Sequence, residues 1–245
     1  MRAIRVAVMT DVHANLPALQ AALDDIHREG CDAIVHLGDA VGIGPYPEET
    51  LRLLRAVPDL WTIQGNHDDW LARSSIDTGR PDGMSEGEWA HQRWVHRQVD
   101  PELRGWVARW PRMIRREIEG VSAVFVHYGL TESGDWHAPV RHSSSADLDR
   151  LFLFEDDVTV VFFGHDHEPM DHTGRARYIN PGSLGCGPHP SARWVLATFA
   201  QGRCHIERRA TPYDDAPLLR ALDNRDVPER DFIRRVFYHG RKGRP

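Results

Sequence analysis

The chain of 245 residues has only three cysteines, Cys31, Cys186 and Cys204, whose spacing makes neither a paired metal-binding motif nor a disulfide framework. Isolated thiols suit a reduced protein, and a cytoplasmic location is expected. Long apolar runs are missing. The opening MRAIRVAVMT is too short and too mixed for a signal peptide or a membrane span, so no membrane partner is expected. Positive charge is also short. The 30 Lys and Arg against 36 Asp and Glu leave a formal charge of -6, which argues against binding along a nucleic-acid backbone. The arginines that do cluster, Arg109, Arg112, Arg115 and Arg116, read as a solvated face. No P-loop lysine motif is present, which argues against an NTP-cradling mechanism.

Histidine is abundant, at 15 residues. Imidazole is a common metal ligand, but position must decide its role. Ile4 to Met9 is a short, β-branched apolar run that reads as a buried strand. A helix is expected near Pro17 to Glu29, because Leu19, Ala22, Leu23 and Ile26 share one face. Asn15 is its expected cap and Gly30 its terminator. The unit repeats with a strand at Ala33 to Leu37, a helix near Pro47 to Ala56 and a strand at Leu60 to Ile63. Such alternation implies right-handed crossovers and a largely parallel sheet.

Helices near Glu86 to Gln98 and Glu102 to Trp110 are expected in the less regular middle, Ser74 to Pro111. Its tryptophans, Trp89, Trp94, Trp106 and Trp110, read as core before recognition elements. Strands follow at Arg112 to Glu119, Val121 to His127, Val158 to Phe163, Arg177 to Asn180, Trp194 to Ala200 and His205 to Arg209. A helix is expected at Leu148 to Phe154. This half favours a second sheet with antiparallel pairing. Two helices, Ala216 to Asp223 and Pro228 to Phe237, precede a frayed HGRKGRP end. Stacked α/β layers in a single domain, 1–245, are the simplest account, with the helices at 213–238 packed on it.

Chemistry-bearing groups stand directly after the apolar runs. Strand one ends in Thr10-Asp11-Val12-His13, strand two in Gly38-Asp39, strand three in Gly65-Asn66-His67-Asp68. Later strands deliver His127 and Gly164-His165-Asp166-His167. In an α/β sheet the carboxyl ends of neighbouring strands converge on one crevice. Alone, Asp11-x-His13 and Gly38-Asp39 are more often turn or loop features, His127 more often a satisfied loop histidine, and the His165, His167 pair as often a structural pair as a metal site; the conjunction of five is what points to a site. Asp and His with one Asn form an O/N shell that suits Mn, Fe or Zn. Two close cations need a bridging anion, and Asp39, central in the order, is the natural bridge.

These residues resemble the calcineurin-like metallophosphoesterase superfamily. DVHANLPAL and NPGSLG, Asn180 to Gly185, look like its small bacterial phosphodiesterase branch. The resemblance implies a layered α/β/β/α sandwich with mixed sheets. It implies that Asp11, His13 and His167 hold one divalent ion and Asn66, His127 and His165 a second, with Asp39 between them. Mn is the first choice, with Fe or Zn as alternatives. It further implies in-line attack by a metal-bridging hydroxide on a small phosphate ester, a phosphodiester first, with His67 contacting phosphate and aiding the leaving group. Asp68 is expected either to orient and charge His67 or to act as a turn residue.

Two positions depart from the family. Tyr128 follows His127 where Gly is usual, and is expected to narrow the site, bond substrate or simply pack locally. Asp166 stands where Thr or Ser is usual, and its charge is expected to disfavour highly anionic substrates. Asn180 to Ser183 reads as a turn that positions the His165–His167 loop. His137 and His142 are solvated loop residues or phosphate contacts. Competing functions are a dinucleoside polyphosphate hydrolase, with Trp70, Trp89 or Tyr128 stacking a base, a serine/threonine protein phosphatase, a nuclease, and a non-catalytic metal-binding scaffold. The last is disfavoured because every ligand and His67 are present.

Overall fold

Alternation along the first strand sorts the molecule into layers. In a computed structural model that describes residues 2–73, 79–81, 83–140, 142–154 and 157–241, β1 spans Ile4–Met9. Ser74, which opens the irregular middle stretch, and the last four residues of HGRKGRP lie outside the described residues. Val6 and Val8 of β1 face one way, Ala7 and Met9 the other, as the two-residue period of a strand requires.

Ala7 and Met9 meet α1 (Leu16–Glu29), which buries Ala18, Leu19, Ala22 and Ile26. Asn15 caps α1 by accepting the Ala18 N–H at 3.1 Å, and Gly30 ends it at φ 65°. Val6 and Val8 face the other sheet. They pack with Val35, Phe125, Phe162 and Ile179 in the core between the two sheets.

The first sheet has the order β10-β9-β1-β2-β3, with β2 at Ala33–His36, β3 at Leu60–Thr62, β9 at Ser191–Ala200 and β10 at Arg203–Pro212. β1, β2 and β3 are parallel, whereas β9 pairs antiparallel with β1. The second sheet runs β4-β5-β6-β8-β7, from β4 (Met113–Ile118), β5 (Val121–Val126), β6 (Val160–Phe162), β7 (Met170–Thr173) and β8 (Arg177–Asn180). Its centre, β5-β6-β8, is parallel and its two edges are antiparallel. The last hairpin, β9–β10, therefore extends the first sheet and does not belong to the second.

Helices α2 (Pro47–Ala56), α4 (Glu86–Gln98), α5 (Pro101–Val107), α7 (Ala216–Asn224) and α8 (Arg230–Phe237) bury residues in the same cluster as α1. α6 (Ser145–Leu151) covers the far face of the second sheet through Leu148. The result is the expected α/β/β/α sandwich with mixed sheets. α6 starts three residues before the expected helix, because Ser144 and Asp147 form a reciprocal capping box. α3 (Asn66–Arg73) was not expected: helix begins inside the Gly65-Asn66-His67-Asp68 motif that ends strand three.

Candidate metal centre

Beyond the regular ladder, the chain after β1 and the chain after β2 stay bonded side by side. Asp11 N–H donates to Gly38 O at 3.0 Å, His13 N–H to Asp39 O at 2.9 Å and Ala14 N–H to Ala40 O at 2.8 Å. In the second sheet, Gly164 N–H donates to His127 O at 2.8 Å. The strand ends are thereby held in register, and their side chains converge on one crevice between the two sheets.

The backbone there is strained. Asp11, His13, Asp39, His165 and His167 all have positive φ, between 49° and 75°. For residues with a Cβ this region is sparsely populated and costs about 1–3 kcal/mol each. Glycine permits the close approach between sheets: a Cβ on Gly164 would sit 2.0 Å from Thr10 Oγ1.

The expected ligands come together in two groups. His13 Nε2 lies 2.9 Å from His167 Nε2, and each is within 3.7 Å of Asp11 Oδ1. On the other side, Asn66 Oδ1 lies 2.8 Å from His165 Nδ1 and 3.1 Å from His127 Nε2. Asp39 Oδ2 stands between, 3.4 Å from His127 Nε2 and 3.8 Å from His13 Nε2. Three sets of side chains could each hold an ion, with ligand atoms within 4.8 Å of one another: His13, His167 and Cys186; His13, Asp39 and His67; and Asp39, His127 and His165. The place of Cys186 beside His13 and His167 was not anticipated, since nothing in its spacing links it to them.

The donor set fits divalent cations. His127 Nδ1 is 2.8 Å from Leu37 O and His13 Nδ1 is 3.2 Å from Val41 O. A carbonyl only accepts, so each Nδ1 carries a proton and each Nε2 is turned inward toward the oxygens of the crevice. His127 Nε2 faces Asn66 Oδ1 and Asp39 Oδ2, acceptors that call for a positive charge among them, supplied by a proton on Nε2 when no ion is bound and by a cation when the Nε2 lone pair coordinates one. The pKa of His127 shows the same pull. Burial disfavours its charged form, but Asp39 by charge and hydrogen bond, with Asp11 beyond, lifts it to about 9. Asp39 itself is disfavoured as an anion by burial, yet His127 and His67 hold it well below the usual carboxylate range.

His67 is the neighbour of this set. Its ring meets His13 edge-on, with centroids 5.1 Å apart, and its Nδ1 lies 3.1 Å from Gln92 Nε2. Burial holds its pKa below the ordinary value. Asp68 does not take the orienting place beside His67. Its carboxylate accepts the N–H groups of Asp39, Ala40 and Gly65 at 2.7, 3.0 and 3.0 Å. Burial, with Asp39 adjacent, pushes Asp68 up to about 7. Gln92, 25 residues from His67 and on another helix, carried no sequence signal for its contact.

Tyr128 does not face the crevice. It is fully buried, its ring packs 4.6 Å from that of His165, and its hydroxyl accepts the Val140 N–H at 2.9 Å. In the metal-free chain, burial, then Asp11 and Glu168, push Asp166 up to about 8. Its Oδ1 accepts from Asn180 Nδ2 at 2.7 Å. The Asn180–Ser183 turn reaches both loops of the first group, because Asn180 also donates to Gly164 O at 3.1 Å and Ser183 Oγ donates to Asp11 O at 2.8 Å. His142 pairs with Glu168 at 3.3 Å, while His137 lines a cavity of about 600 Å³ beside Asn66 and His165.

With this geometry in hand, comparison with known proteins gives a consistent class. Residues 4–201 match the calcineurin-like phosphoesterase superfamily domain, and the chain belongs to that superfamily. It is a metallophosphoesterase with candidate sites for a pair of metal ions. It is 30% identical to an uncharacterized protein of Methanocaldococcus jannaschii over 241 residues, covering 91% of this chain and 94% of the other. Among solved structures, a hypothetical protein of Pyrococcus horikoshii superposes with a TM-score of 0.81 at 20% identity, covering 98% and 99% of the two chains. A metallophosphoesterase from Sphaerobacter thermophilus gives 0.70 at 24% identity, covering 96% and 98%. These structural likenesses speak for the fold. No described helix is long and apolar enough to cross a membrane.

Proposed function

We propose that the chain is a binuclear metal-dependent phosphodiesterase that works as one domain. Asp11, His13 and His167 hold one divalent ion, Asn66, His127 and His165 the other, and Asp39 is shared. The observation that carries this proposal is the position of Asp39 Oδ2, 3.4 Å from His127 Nε2 and 3.8 Å from His13 Nε2. One carboxylate oxygen is within reach of both groups. The mixed O/N donors suit Mn, our first choice, as well as Fe or Zn. Such ions supply Lewis acidity toward phosphoryl oxygens and lower the pKa of a water to near neutrality.

The chain's own residues do the rest. The Gln92 amide N–H donates to His67 Nδ1, so the neutral imidazole carries its proton on Nε2. In that tautomer His67 can give a hydrogen bond, and then a proton, to the departing oxygen. Asp68 positions the Asp39 loop through three backbone bonds. Thr10 Oγ1 donates to Asp11 Oδ2 at 2.8 Å and fixes which oxygen of Asp11 is left for the ion.

Two cavities support a diester over a monoester. One of about 600 Å³ is lined by Asn66 and His165, and another of about 320 Å³ by His67 and Ile43; Gln92 borders both. A diester has an arm for each. The test compares bis-p-nitrophenyl phosphate with p-nitrophenyl phosphate, with Mn added or withheld. Mn-dependent turnover favouring the diester is expected. Faster monoester turnover would reverse the preference, and no turnover of either with both positions filled would remove the hydrolase function.

A further inference from the structure

The larger cavity has an unusual wall. Trp70 from α3, Trp89 from α4 and Trp136 from the segment after β5 all line it, and all three are partly exposed. Trp89 is therefore not the core residue its helical spacing suggests, unlike Trp94 and Trp110, which are buried. Two of the rings are tied to the centre itself. Trp70 packs edge-on against His67 with centroids 4.8 Å apart, and Trp136 packs edge-on against His127 at 5.4 Å. A group lying against these indoles thus has its attached phosphate beside Asn66 and His165.

The charges of the cavity narrow what that group is. Arg73, the arginine among the described lining residues, is paired with Asp69 at 2.7 Å, and Arg112 pairs with the other oxygen of Asp69 at 3.0 Å. Among the described lining residues, the Arg73 guanidinium is therefore committed to Asp69. Asp135, an exposed carboxylate on the rim, can accept from an amino group. The volume falls in the range of small-ligand sites, roughly 300–1,000 Å³. Indole faces stack planar rings, and a neutral heterocycle with N–H donors on its edge satisfies both the indoles and Asp135.

We propose that this cavity binds the nucleobase of a nucleoside phosphodiester, stacked on the tryptophan wall, while its single phosphate lies at the metal centre. This rests on the hydrolase function proposed above and specifies its substrate class.

Calorimetric titration of the two-metal protein with adenosine 5′-monophosphate and with ribose 5-phosphate tests the proposal without relying on turnover. The two ligands share a phosphorylated sugar and differ only in the base. Base stacking on an aromatic side chain contributes about 1–3 kcal/mol, or about 5- to 150-fold in Kd. The nucleotide is expected to bind tighter by that factor, and Trp89→Ala to bring the ratio of the two Kd values toward one. Equal Kd values in the unaltered protein would overturn the proposal. So would a preference that a folded Trp89→Ala variant retains in full. If that variant does not fold, the comparison in the unaltered protein still decides. Hydrolysis of bis-p-nitrophenyl phosphate in parallel separates the two claims: a base preference without turnover strikes the hydrolase function, whereas turnover without a base preference strikes the pocket.

Discussion

The carboxylate of Asp68 accepts the backbone N–H of Asp39 at 2.7 Å, and with it the N–H groups of Ala40 and Gly65. One buried side chain so holds the loop that carries the shared carboxylate and the turn that opens α3. Asp68→Ala leaves three donors without this acceptor. Each buried unsatisfied donor costs about 1–3 kcal/mol, so a loss on the order of several kcal/mol is expected. Urea unfolding measures it. A change below about 1 kcal/mol would show that the three bonds are easily replaced.

The contact between Gln92 and His67 makes a separate prediction. His67→Ala should bind two metals and lose about 10²- to 10⁴-fold in kcat, the usual contribution of a positioned proton donor. Gln92→Leu keeps the imidazole but releases its tautomer. Its kcat should fall most for esters with poorly acidic leaving groups and least for p-nitrophenyl esters. A uniform fall across leaving groups would assign Gln92 to packing alone.

Asp166 makes a pH prediction for the protein stripped of metal. Burial, helped by Asp11 and Glu168, places its folded pKa at about 8, above the unfolded value of about 3.9. The folded chain then keeps a proton that the unfolded chain releases. The stabilising contribution is complete below about pH 4 and is lost as pH rises through about 8. Asp166→Asn preserves an acceptor for Asn180 and removes the titration, so it should unfold at a higher temperature than the parent at pH 9. A lower Tm at that pH would contradict the assignment.

Much of this was legible in the chain because local rules decide it. The face of α1, its Asn15 cap and the strand at Ile4–Met9 follow from periodicity and capping, and Asp11, His13, Asp39 and His127 were found as polar groups after apolar runs. What was not legible depends on distance along the chain. The pairing of β9 with β1 joins residues such as Val6 and Ala197, and no local pattern encodes it. The direction of Tyr128 is set by packing against Phe152 and Phe163, which its position after His127 does not reveal. Asp68 follows His67 in sequence, but the start of α3 turns its carboxylate toward the Asp39 backbone, and Gln92 takes the contact with His67. The burial of Asp166, which raises its pKa in the metal-free chain, is likewise invisible in composition.

The central claim is that one carboxylate, Asp39, serves two ions at once. Electron paramagnetic resonance of the chelated protein reloaded with Mn tests it most directly, with the bound metal counted in parallel. Two Mn per chain with an exchange-coupled spectrum are expected, and Asp39→Ala should abolish the coupling together with hydrolysis of bis-p-nitrophenyl phosphate. A single uncoupled Mn per chain in a fully active protein would contradict the account.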